Sequence, residues 1–467
     1  MNSNLLRAGL VLVLPFLSSG TTTAAPRPSR EARAKRVLLR SSLPAKAPRA
    51  AVESWPDFRG PSGDGISRST DIPLTWSETR NIKWKVPIHG QAWSSPVVWG
   101  NQIWVTTATP DGRQMSALCV DRSTGRVLLD RTIFQIDELE ERGPGHEANS
   151  YASPTPVIEA GRVYLHYGKY GTACLDTRTF KTLWQRRDLL CTHSAGPGSS
   201  PVLFQDRLIL TFDGIDTQYL AALDTKTGKT VWKTDRSVDW AALDPPGKTP
   251  DVQQRKAFST PLLSIWDGKP ILISSGAKAT CGYDPATGKE LWKVTYKGFS
   301  NAARPVVGDG FAYINTGYGR AELYAVRLGG MGDVTATHVA WKQTKNVPLN
   351  PSPLLVDGLL YHVNSGGILT CLDATSGAEV WQERIDGPFS ASPLFVDGRI
   401  YLFNESGKAV IVEAGRQFKK VGENQLESGL MGSPAVVGRS LILRSKTHLY
   451  CIEEPASPSR GIAGTSK

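Results

Sequence analysis

From Asn81 onward, hydrophobic and polar positions alternate in short, strand-length runs broken by Gly, Pro, Asp and Asn. This is the pattern of a chain made of β-strands and tight turns. The clearest stretch, Ala222 to Trp232 (ALDTKTGKTVW), reads as a strand, a turn and a second strand. It recurs as GYDPATGKELW from Gly282 to Trp292, CLDATSGAEVW from Cys371 to Trp381 and CLDTRTFKTLW from Cys174 to Trp184, with a weaker copy, CVDRSTGRVLLD, from Cys119 to Asp130. A second signature precedes each copy. It is Ser-Pro, two or three apolar residues, Asp-Gly or a similar turn, then an apolar-aromatic strand, as in SPLLVDGLLY from Ser352 to Tyr361 and SPLFVDGRIY from Ser392 to Tyr401.

The residue types explain the recurrence. Asp and Thr accept hydrogen bonds from turn amides, and Gly supplies a positive φ at little cost. The Trp lands on the next strand as a broad flat surface for a neighbouring sheet. The prolines of the second signature, Pro96, Pro154, Pro201, Pro261, Pro305, Pro353, Pro393 and Pro434, count eight units, 40 to 60 residues apart. Four short strands in a unit of that length make a β-propeller blade. Asn81-Ile82-Lys83-Trp84-Lys85 matches the Trp-bearing strand without a Ser-Pro half before it, and the last unit, Ser433 to Ile452, has the Ser-Pro half without the Trp strand. Joined, they complete an eighth blade. The expected fold is therefore all-β: an eight-bladed propeller of four-stranded antiparallel blades, closed by an N-terminal strand.

Both signatures resemble the pyrroloquinoline-quinone (PQQ)-like repeat, over about Trp55 to Glu453. The Ala, Asp, Thr, Gly, Lys and Trp of Ala222–Trp232 match that superfamily's tryptophan-docking motif. The resemblance implies Trp84, Trp184, Trp232, Trp292, Trp341 and Trp381 as inter-blade wedges. The superfamily contains quinoprotein alcohol dehydrogenases, which hold a quinone and calcium, and non-catalytic members such as the propeller lipoprotein of the barrel-assembly machinery. The chain is similar to exported PQQ-binding-like propellers of planctomycete-type bacteria, in NSYASPTPV (Asn149–Val157), GFSNAARPV (Gly298–Val306) and VPLNPSPLL (Val347–Leu355). The dehydrogenases' adjacent cysteine pair and haem-attachment sequence are absent from the sequence.

Residues 1–25, with Arg7 before the apolar Ala8–Leu17, read as a secretory signal. The apolar run is too short for a membrane span. Residues 26–54 read as a disordered basic linker, 55–80 as an aromatic leader that docks on the propeller, 81–455 as the propeller and 456–467 as a flexible tail. Of the net charge of +11, residues 1–54 carry +7 and the remainder +4. The basic tail could touch a membrane surface, but a folded part so near balance argues against nucleic-acid binding. Cys119, Cys174, Cys371 and Cys451 take the place of Ala222 in their units, and Cys281 lies one residue earlier. Equivalent positions of different blades are too far apart for a disulfide, so these read as small buried strand residues.

In the resembling enzymes the residues before each innermost strand, with the loop between the second and third strands, line one mouth of the ring. The candidate funnel residues on that reading are Arg304, His146, Glu147, His166, Lys169, His193, Asn301, Asn315 and Asn350. His146, Glu147, His166 and His193 fall in successive loops and suit a transition metal or acid–base chemistry. Asp213 and Asp216 suit calcium. Arg304 replaces the Ser of the fifth Ser-Pro, and an Arg there can hold a carboxylate or phosphate. No metal is specified by spacing, and no catalytic residue stands out. The reading is an exported, non-catalytic binding or scaffold module of the cell envelope, with a protein or saccharide partner. The alternative is a PQQ- and calcium-dependent oxidoreductase of alcohol or sugar dehydrogenase type.

Overall fold

The computed structural model describes residues 53–137, 149–244 and 246–455, within the compact unit Ala50–Lys467. The expected signal, linker and tail, and most of the acidic stretch after Asp137, lie outside the described residues. Eight antiparallel sheets follow one another along the chain. The third blade shows the plan. Val202–Phe204, Arg207–Asp213, Gln218–Asp224 and Thr230–Asp235 pair in order, and the second and third strands are almost wholly buried. β-Branched and aromatic residues supply those middle strands, where both faces meet neighbouring blades. A bulge recurs between third and fourth strands in all eight blades, as at Ala222/Leu223, adding the local twist each blade needs.

Ring closure is as expected. Ile82–Pro87 pairs with His448–Ile452, placing Trp84 opposite Cys451 and Lys85 opposite Tyr450. All six cysteines are buried and unbridged. The proline count needs one correction. The second blade's inner strand starts at Val157, so Pro156, not Pro154, occupies the repeated position, and Thr155 stands where most other blades have Ser.

The turn chemistry is visible at Asp224. Its Oδ1 accepts from the amides of Lys226 (3.1 Å) and Thr227 (2.8 Å) and from the Thr227 hydroxyl (2.7 Å). Glycine follows for a packing reason as well as for its positive φ. In the next blade Gly288 has φ +74°, and a Cβ there would come within 2.5 Å of the Trp232 ring. Trp232 Nε1 donates to the Pro285 carbonyl of the same turn at 3.2 Å. Trp84, Trp184, Trp341 and Trp381 likewise donate to carbonyls in the following blade at 2.9–3.1 Å. Trp292 differs. Its Nε1 is buried without a partner, and a segment of the fifth unit, Gly332–Asp333, instead adds a parallel strand beside it.

Residues 53–67 run through the centre of the ring, and residues 74–78 then pass to the outer strand of the seventh blade and the closing strand. Ser54–Trp55 pairs with the inner strand of the first blade, and the Pro56 carbonyl accepts from Ile158 of the second. Arg59 Nη2 donates to Pro353 O of the sixth at 2.8 Å, and Gly65 and Ser67 bond Phe395 of the seventh. A single segment touching inner strands from opposite sides of the ring must lie along its axis.

Candidate functional site

The inner strands begin in a ring of hydroxyls. In each link a blade's hydroxyl accepts the backbone N–H of the residue at the same position one blade away: Ser95 to Thr155, Thr155 to Ser200, Ser200 to Thr260, Arg304 to Ser352, Ser352 to Ser392, Ser392 to Ser433 and Ser433 to Ser95, all at 2.9–3.0 Å. The one gap falls between Thr260 and Arg304, which has no hydroxyl. This is why Ser or Thr precedes every one of these prolines but Pro305: the side chain satisfies a buried amide that no strand reaches. The sequence displayed the signal, but as a blade count it concealed the chemistry.

Above this ring opens a cavity of about 280 Å³. Six of the hydroxyl residues and Phe58 of the leader form its floor. Trp93, Phe258, Phe299, Tyr318 and Met431 stand in its walls, and Lys256 is the charged side chain among its described lining. Burial lowers the Lys256 pKa, opposed by Asp251. Lys256 and Phe258 come from the long insertion after Asp235, which also carries a short helix, Trp240–Leu243. Sequence reading picked neither of these two residues, and it did not see that Phe58 would close the floor.

The expected funnel residues scatter. Asn350 lines the cavity and donates to Ser390 Oγ at 3.3 Å. Arg304 does not line it. Its guanidinium is 2% exposed and is spent below the floor on the carbonyls of Pro261 (3.0 Å) and Phe58 (2.5 Å) and on Asp57 (3.4 Å). Asn301 donates to Tyr296 Oη and Asn315 O, and Asn315 donates to Pro348 O; both are buried and tie loops together. His166 is buried against Thr172 Oγ1 (2.8 Å) and the edge of Phe212, and burial, with His193 nearby, pushes its pKa down to about 3. His193 sits 3.2 Å from Cys191 Sγ and is pushed down to about 4, mainly by burial and then by Lys169. Lys169 lies over the Tyr170 ring. His146 and Glu147 lie outside the described residues. Asp213 is locked to Arg236 by two bonds of 2.6 and 2.8 Å, and Asp216 caps Thr192 and Thr217. Neither carboxylate faces an open calcium site. Among the described residues no cluster of His, Cys, Asp or Glu is placed to hold a metal.

A family model described as outer membrane protein assembly factor BamB matches residues 76–235 and 216–455. The chain belongs to this family of PQQ-like propellers. Among solved structures the propeller resembles the quinohemoprotein alcohol dehydrogenase of Comamonas testosteroni (13% identity, 87% of this chain and 81% of that one, TM-score 0.61). It also resembles BamB of Moraxella catarrhalis (13%, 79% and 99%, TM-score 0.53) and a europium-containing methanol dehydrogenase (12%, 84% and 89%, TM-score 0.59). No curated protein matches the chain. These likenesses show the fold, which serves both enzymes and assembly factors and does not choose between them.

Whether the BamB-family funnel suits PQQ with calcium is a question of donors. A flat acidic quinone wants cations and N–H or O–H groups, which are present. The calcium beside it wants several carboxylate or carbonyl oxygens, and no carboxylate lines the cavity among the described residues. The residues present do not fit the pair, and no redox step is derived through it. In the described residues no helix is long and apolar enough to cross a membrane.

Proposed function

We propose that this chain is an exported, non-catalytic binding propeller of the cell envelope, taking the end of a protein or saccharide partner into its funnel. One observation carries the reading. The leader fills the ring axis and Arg304 is consumed in holding it, so the funnel is an aromatic-walled cup on a hydroxyl floor with no carboxylate among its described lining residues to ligate calcium or act as base. A rigid cup of this kind suits recognition, and the family's naming after an assembly factor agrees with it. The basic N-terminal stretch would keep the propeller near an acidic surface.

The test is direct. Purified protein is mixed with PQQ and calcium, and dye-linked oxidation of alcohols and sugars is followed. The expected result is no turnover above the protein-free control. Stoichiometric quinone retention with turnover overturns the reading in favour of a quinoprotein dehydrogenase.

A further inference from the structure

We infer that the funnel is built to receive the carboxylate-bearing terminal ring of an acidic saccharide, a uronic-acid unit. This deepens the binding-module reading and rests on it. The argument is an account of hydrogen-bond capacity. Ser95, Thr155, Ser200, Thr260, Ser392 and Ser433 line the floor and are each less than a tenth exposed. Each oxygen already accepts a backbone N–H from its neighbour. A hydroxyl has one proton to donate, and among the described residues none of these six donates to anything. Trp93 Nε1, in the wall, is shielded from water and has no acceptor among the described residues. Among the described residues Lys256 Nζ bonds only neutral oxygens, Gln253 Oε1 at 2.7 Å and Ser194 Oγ at 3.2 Å.

The cup therefore presents a surplus of donors and a cation. Leaving a buried donor without a partner is costly, so the favoured occupant is rich in acceptors. An ionised carboxylate accepts only, at two oxygens, and its bonds are charge-assisted. Phe258, Phe299 and Tyr318 line the wall, and aromatic surface suits the apolar side of a sugar ring. At 280 Å³ the cup sits at the small end of ligand pockets, about 300–1,000 Å³, so one terminal unit enters rather than a length of chain. A peptide C-terminus shares the carboxylate but brings N–H donors that this donor-rich wall leaves unpaired, whereas sugar hydroxyls accept as well as donate.

The experiment is calorimetric titration of the full chain with a galacturonate trisaccharide, its uncharged methyl ester, and the tripeptide Gly-Gly-Ala. The acid should bind at least about tenfold tighter than the ester, and Lys256→Gln should remove most of that preference. Quenching of tryptophan fluorescence in the unaltered protein gives the same ranking without any substitution. Equal affinity for acid and ester, or preference for the tripeptide, overturns the inference. Ester binding equal to acid would still leave a binding module, whereas PQQ- and calcium-dependent turnover would remove the module reading itself.

Discussion

Blade is joined to blade by a device used repeatedly, while the axis is held by a segment used once. At the seams, an indole donates to a carbonyl 33 to 53 residues away, and in most of them a glycine of that turn lies flat on the ring. At the axis, Arg304 reaches back 246 residues to Phe58 and Arg59 forward 294 to Pro353. Seam contacts close short loops at modest entropic cost, whereas axial contacts form only once the whole ring is in place. The comparison teaches that repetition can encode the walls of a ring but not its centre. A ring lacking its leader would have a channel where this one has a floor.

If that is right, breaking the axis should cost more than breaking one seam. Arg304→Ala strips two carbonyls and Asp57 of their partner together, and should destabilise by about 4 kcal/mol in urea unfolding, as removal of one member of a buried pair does. Trp232→Ala, a large truncation at a half-buried site, should cost about 3 kcal/mol. A smaller effect for Arg304→Ala than for Trp232→Ala would reverse the ranking and make the leader an ornament on a self-sufficient ring.

Acid should separate the two regions. His362 is fully buried, with both ring nitrogens unpartnered, and burial pushes its pKa down to about 4. It shares a strand face with Leu360, which clusters with Tyr313 and Ala325 of the preceding blade. His166 likewise abuts Phe212 of the following blade. A histidine whose folded pKa lies below its unfolded value of 6.5 binds protons more readily unfolded. Its share of stability is complete above pH 6.5 and is lost as the pH falls toward 4. At the axis, burial raises the pKa of Asp57 against the pull of Arg304, so mild acid does not penalise the folded state there. His362→Leu should therefore spare about 2 kcal/mol of the loss between pH 6.5 and 4.5, read as a flatter dependence of the melting temperature on pH. An unchanged slope would mean that protonation strikes elsewhere.

The same division governs what the sequence made legible. Blade number, closure through Trp84 and the buried cysteine register could be read because each is a local pattern repeated or completed. The hydroxyl ring was half legible: Ser-Pro was plain, but nothing local says that a serine bonds the equivalent residue of the next blade. Arg304 was misplaced because its environment is set by Asp57 and Phe58, far away in the chain. Lys256, Phe258 and Phe58 were missed for that reason too, since they belong to segments that occur once.

The exceptional seams offer the finest test. The seventh blade has Gly422 opposite Ile411 where its fellows have Trp, and there the leader supplies Trp76, stacked on Tyr401 and Phe403. The first blade has Leu129 opposite Cys119, and the receiving turn compensates. Phe180 stands where other turns have Gly, at φ +58°, and lays its ring 5.8 Å from that of Trp104. The aromatic has changed sides of the seam. Leu129→Trp alone should clash with Phe180, and Phe180→Gly alone should leave the seam thin although it relieves a strained backbone. Made together, they restore the usual indole-on-glycine arrangement. The double variant should be more stable than the sum of the single effects by about 1 kcal/mol, measured as a thermodynamic cycle in urea. Strict additivity would mean that the two positions do not answer one another and that the seam rule applies only where the motif is intact.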